Sequence, residues 1–245
     1  MDRNEGMRNG RLTRARFETT CWELLGRPGD AEALGSLAVT YWAPVYAYVR
    51  RTGRSPDEAA DLTQGFIAEV LLGRDLPGRA DRQRGRFRWF LMTALDRYLK
   101  DRARRERART AEGRPVPLDA AAMECQGRPG EDVGPEEAFE RQWAASVLEQ
   151  ALERVRADCE RDGMGEHWRA FEARVLGPAL RRGPEVPLAT VAEELDTPPE
   201  RVSAMVHSVK RRLRRVFVDV VAATVPGTGE ELEDEVRRLK RWLGL

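Results

Sequence analysis

The chain has 245 residues, 41% hydrophobic and 34% charged, with 42 lysines and arginines against 41 acidic residues and a formal net charge of +1. That length supports a real core divided over one to three small domains, and near-neutral charge argues against a protein that coats nucleic acid unaided. Three widely spaced cysteines (Cys21, Cys125, Cys159) and two histidines (His167, His207) exclude a disulfide framework and a Cys-x-x-Cys metal pair.

The first fifteen residues are polar. Phe17, Cys21, Trp22, Leu24 and Leu25 then predict a short helix, closed by the turn-forming Gly26-Arg27-Pro28-Gly29-Asp30. A longer helix is expected over Ala31–Arg51, with Leu34, Leu37, Ala38, Tyr41, Trp42, Val45, Tyr46 and Val49 on one apolar face. Ser55 reads as the cap of the next helix, followed by Pro56 and acidic residues in the first turn. There Leu62, Phe66, Ile67, Val70 and Leu71 are core candidates, while Asp61, Gln64 and Glu69 project outward.

Residues 76–86 form a loop rich in glycine and arginine. The helix after it should bury Phe87, Phe90, Leu91, Ala94, Leu95 and Tyr98. Trp89 falls nearly opposite that stripe, among Arg86, Arg88, Arg97 and Lys100. Cations that follow a backbone, around a ring that offers its face to an unstacked base, suit single-stranded nucleic acid. The plainer alternative is that Trp89 packs under the loop or the N-terminal helix. Residues 110–134, rich in glycine, proline and acid, read as a linker. Pro135–Arg161 is then a helix with Phe139, Trp143, Val147, Leu148, Leu152 and Val155 inward, and Trp168, Phe171, Val175 and Leu176 mark the next.

Pro187–Arg215 reads as two helices around a tight turn at Asp196-Thr197-Pro198, with Thr197 as the expected cap and the following proline in the first helical position. Val191, Ala192 and Leu195 face inward from the first helix; Val202, Met205, Val206, Val209, Leu213 and Val216 form one stripe along the second. Opposite that stripe stand Arg201, Ser203, Ala204, His207, Ser208, Lys210, Arg211, Arg214 and Arg215. This is helix-turn-helix grammar, with the second helix entering a major groove; the alternative is a helical hairpin with a solvated charged face. Leu232, Val236, Leu239, Trp242 and Leu243 give a final amphipathic helix over Glu230–Leu243.

The expected architecture is all-α: an extension (1–30), a helical domain (31–109), a flexible acidic linker (110–134), a helix-turn-helix domain (135–225) and a terminal helix (226–245). No apolar signal core or membrane-length run appears, so a cytoplasmic protein with no membrane partner is expected. There is no phosphate-cradling glycine loop, nucleophile motif or telling histidine–carboxylate spacing. No catalytic residue, cofactor or metal site is therefore assigned, and an enzyme is not expected.

Three segments in this order resemble an RNA polymerase sigma factor of the extracytoplasmic-function (ECF) type, most of all the group found in planctomycete-like bacteria. YWAPVYAYVRRTGRSPDEAADLTQGFIAEVL resembles the paired helices of sigma domain 2, GRFRWFLMTALDRYLKDRARRER the segment that reads and melts the −10 element, and PLATVAEELDTPPERVSAMVHSVKRRLRR the −35-reading domain 4. The resemblance covers about Ala31–Arg109 and Pro135–Phe217. It implies two helical domains, docking on the clamp and flap regions of core RNA polymerase, and binding to promoter DNA. Asp61, Gln64 and Phe66 fall at the clamp contact. Arg86, Arg88, Trp89, Arg97 and Lys100 are the −10 and melting candidates. Arg201, Ser203, His207 and Lys210 stand near −35 base edges, with Arg211, Arg214 and Arg215 on phosphates. Gly65 departs from the acidic residue usual in the clamp motif, Arg97 from a common asparagine, and Ser203 and Ser208 from positions often basic. Control by an anti-sigma protein or a kinase stays open, as do a stand-alone helix-turn-helix regulator and a sigma-like adaptor that no longer reads promoters.

Overall fold

The computed structural model describes residues 31–73, 76–81, 85–111, 133–181, 183–225 and 229–243. The expected helix around Phe17–Leu25 and most of the expected linker lie outside them. Among the described residues there are eight helices and no strand. Their contacts divide the chain into two units: the described residues up to Trp143 with Trp242 and Leu243, and Ala144–Arg241.

The first unit starts with α1 (Ala31–Arg50), whose buried row is Leu37, Tyr41, Val45, Tyr48 and Val49. Trp42, expected on that face, is 40% exposed, because the buried row follows the four-residue spacing from Tyr41 and leaves Trp42 at its edge. α2 (Pro56–Phe66) opens as expected on Ser55. The Ser55 hydroxyl accepts from the Glu58 amide at 3.2 Å, and the Glu58 carboxylate accepts from the Ser55 amide at 2.9 Å, a complete capping box. Those two hydrogen bonds, backbone first, hold the Glu58 carboxyl below its ordinary value. The helix then widens into a π turn over Ile67–Leu72 that buries Ile67, Val70 and Leu71.

α3 (Phe87–Ala111) buries Phe87, Leu91, Leu95 and Tyr98. It runs to Ala111, two residues beyond the boundary expected from the sequence. α4 (Pro135–Arg161) matches its expected span. The division falls inside this helix rather than at its start: Phe139 and Trp143 join the core of the first unit, and Ala144, Val147, Ala151, Val155 and Cys159 are buried beyond it. Tyr41 is the hub of the first core. Its ring lies flat on Trp143 (5.1 Å, 7°) and meets Phe87 edge-on at 5.5 Å.

In the second unit α5 (Gly165–Phe171) continues through a π turn over Glu172–Leu176 and a last turn, Gly177–Leu180. α6 (Leu188–Glu194) and α7 (Pro199–Ala222) follow, then α8 (Glu230–Leu243), of which the residues up to Arg241 belong to this unit. α7 buries Val202, Met205, Val206, Val209 and Val216, as the stripe predicted, and extends it through Phe217, Val220 and Val221. Leu213 is only half-buried. Arg212 turns inward and pairs with Asp162 at 2.7 Å.

The turn between α6 and α7 corrects one expectation. Thr197 caps nothing: α7 starts at Pro199, behind an extended Pro198. A residue before proline is barred from the α region, so two consecutive prolines push the helix start one position on. Thr197 instead closes the end of α6, its amide donating to the Ala192 carbonyl at 3.0 Å while the Asp196 amide donates to Glu193 at 3.3 Å. That is a Schellman closure, and Asp196 takes its left-handed position at φ 46°. Aspartate is among the few residues that tolerate this conformation, so the turn forms without glycine.

Candidate nucleic-acid interface

Gly85, at φ 112°, turns the chain into α3 and brings three candidate residues, Arg86, Arg88 and Trp89, to its start. Trp89 is 43% exposed and Phe90 39% exposed, so two adjacent rings face solvent on a helix whose next buried residue is Leu91. The Arg86 guanidinium sits 4.8 Å from the Trp89 ring centroid. The indole N–H of Trp89 donates to Glu140 Oε1 at 3.2 Å.

Arg88 is the exception among the candidates. It is 2% exposed, and its Nε donates to both carboxylate oxygens of Glu140, each at 3.2 Å; Glu140 is itself 3% exposed. A guanidinium committed to a buried carboxylate does not reach a DNA phosphate. Its partner stands 52 residues away in sequence, so no local pattern could have revealed the pair. Lys100 is occupied at the surface by Asp96, at 2.7 Å.

Arg97 belongs to a different place. With Arg79, Arg105, Leu76, Phe90 and Tyr98 it lines a cleft of about 380 Å³ on the first unit. Glu69 and Asp101 also line the cleft, so it mixes apolar, cationic and acidic groups, and Phe90 is its exposed ring. The sequence placed Phe90 in the core; the signal for its exposure is its position next to Trp89, outside the tight Phe87–Leu91–Leu95–Tyr98 row. Arg102, which also lines the cleft, donates from Nε to the Tyr98 hydroxyl at 3.1 Å and pairs with Glu69. Burial pushes the Tyr98 phenol up.

Asp61 and Gln64, the clamp candidates, are both exposed on α2. Phe66 is fully buried against Tyr98, the rings edge-on at 5.7 Å, so it supports the face from below rather than forming it. Gly65 has a reason inside the fold: a Cβ there would lie 2.4 Å from the Tyr98 hydroxyl oxygen. The departure at Gly65 lets α2 approach the tyrosine of α3 closely.

On the second unit Arg201, Ser203, His207, Arg211, Arg214 and Arg215 are all exposed along the outer side of α7. Lys210 is half-buried and 3.2 Å from Glu185, which also holds Arg174 at 3.1 Å. The free cationic character of the face thus rests on its arginines. Among the described residues no three potential metal ligands come together, and no helix is long and apolar enough to cross a membrane. Comparison with protein-family models, curated proteins and solved structures finds no match to this chain.

Proposed function

We propose that this chain is an ECF-type sigma factor, a cytoplasmic protein that binds core RNA polymerase, reads the −35 and −10 promoter elements and assists promoter melting. One observation supports this most: a single chain pairs an arginine-bordered surface of exposed rings with a helix-turn-helix whose outer side is basic. The first feature suits unpaired bases and the second suits duplex DNA. A repressor built on the helix-turn-helix has no use for Trp89 and Phe90 at the solvent surface.

Magnitudes fit the same division of labour. Opening DNA takes on the order of 1–2 kcal/mol per base step. Stacking a base on an aromatic side chain returns about 1–3 kcal/mol. Two exposed rings therefore offset a few opened steps, not a whole transcription bubble, and the polymerase supplies the rest. Asp61 and Gln64 offer an acidic and a polar side chain to a basic partner surface. Arg211, Arg214 and Arg215 would take phosphates, with Arg201, Ser203 and His207 nearest the base edges.

Reconstitution with core polymerase tests this. Run-off transcripts should appear from a genomic promoter library, and Asp61→Lys should abolish them while leaving the helical circular dichroism intact. Transcripts that never rise above those of core enzyme alone refute the assignment. Tight binding of the isolated protein, as a dimer, to palindromic duplex would favour the stand-alone regulator.

A further inference from the structure

We infer that Glu140 is a positioning residue for Trp89: a carboxylate from α4, beyond the linker region, holds the polar edge of the indole so that the ring meets an unstacked base in a fixed pose. This rests on the reading of Trp89 as a stacking surface. Glu140 is nearly sealed from solvent and divides its acceptors between two adjacent residues of α3, taking Arg88 Nε on both oxygens and the Trp89 indole N–H on Oε1, all at 3.2 Å. Arg88 neutralises the carboxylate in its dry environment. The remaining acceptor capacity fixes the indole edge, while the side chain keeps 43% exposure, with the Arg86 guanidinium 4.8 Å and that of Arg88 5.9 Å from the ring centroid.

A removable cover would have another construction. Phe139 and Trp143, on either side of Glu140, are fully buried, and Tyr41 lies flat on Trp143. The start of α4 is core of the first unit, so Glu140 is a permanent part of the surface. Its contribution is preorganisation: an indole without its acceptor would turn its N–H toward water and sample several poses, and binding would then bear the cost of ordering it.

The test uses the full-length protein and a fluorescent oligothymidylate at low salt, with binding followed as a function of salt concentration. Trp89→Ala should weaken binding by about tenfold. The double variant Arg88→Met with Glu140→Met replaces the buried pair by apolar side chains of similar reach, a change that leaves stability near wild type and strands no charge. It should lose as much affinity as Trp89→Ala, with an unchanged salt slope. Wild-type affinity in the double variant, alongside weak binding by Trp89→Ala, overturns the positioning role and leaves the stacking surface standing. A loss accompanied by a salt slope smaller by about one makes Arg88 a phosphate contact, and overturns the role as well. Wild-type affinity in Trp89→Ala removes the stacking surface itself, and the role of Glu140 with it.

Discussion

The start of α3 and the outer side of α7 carry the same residue types, arginine beside a ring or a small polar group, and are built in opposite ways. On α7 a single helical stripe buries Val202, Val206 and Val209 and thereby turns Arg201, His207 and Arg211 outward. One helix decides the whole face. On α3 the corresponding question is settled from outside: Arg88 points into the protein because Glu140 of α4 is there to receive it, and that same carboxylate anchors Trp89. A surface set by one helix tolerates replacement of its charges. A surface set by a buried pair does not tolerate the loss of one partner alone.

The largest effect should break this contrast directly. Arg88→Ala or Glu140→Ala leaves a buried charge without its partner and should lower stability by about 3–5 kcal/mol, measured by urea unfolding. Arg201→Ala or Arg214→Ala should stay within about 0.5 kcal/mol of wild type while lowering the salt slope of duplex binding. Equal stability losses on the two faces would erase the distinction.

A second, smaller effect concerns Gly65. Alanine is the better helix former, by about 1 kcal/mol, but its Cβ would meet the Tyr98 hydroxyl, and Tyr98 is held by Phe66 and Arg102. Gly65→Ala alone should therefore fail to stabilise. Combined with Tyr98→Phe, which removes the clashing oxygen, it should recover stability, with a favourable coupling of about 1–2 kcal/mol in a double-mutant cycle. Additive effects would mean that the close approach plays no part in the choice of glycine.

The capping box of α2 comes next. Ser55→Ala should lower stability by about 1 kcal/mol, seen as a drop in melting temperature. Because the folded Glu58 carboxyl titrates below its ordinary value, its contribution is present above that ordinary value and fades as pH falls through the folded one. Ser55→Ala should also raise the NMR-titrated Glu58 value part of the way and weaken this acid limb, since the Ser55 amide, the larger cause, still donates to the carboxylate. The smallest effect belongs to the turn before α7. Asp196→Gly should raise stability by a few tenths of a kcal/mol and Asp196→Ala should lower it, since only glycine holds the left-handed position without strain.

The residues also show where sequence reasoning works. Ser55, Pro56 and Glu58 announced α2 correctly because a cap is made of neighbours three positions apart. Thr197 misled for a related reason: a threonine before two prolines looks like a cap, yet Pro199 claims the first helical position and bars Pro198 from the helix. Trp42 and Phe90 were assigned to apolar faces on periodicity, and each sits at the edge of its stripe, where a single step of 100° decides between core and solvent. The exposure of Trp89 was readable because it lies far from that edge.

By itself the sequence determined the all-helical class, the spans of α4 and α8, the capping of α2 and the outward arginines of α7. All of these depend on interactions between residues a few positions apart, whose geometry the helix repeats without further information. Tertiary structure alone decided that Arg88 is interior, that Gly65 makes room for Tyr98, that Arg97 belongs to a cleft with Phe90, and that Glu140 sets the ring of Trp89. Each of these joins side chains from different helices, and burial fixes such pairs through space, where separation along the chain carries no record of them.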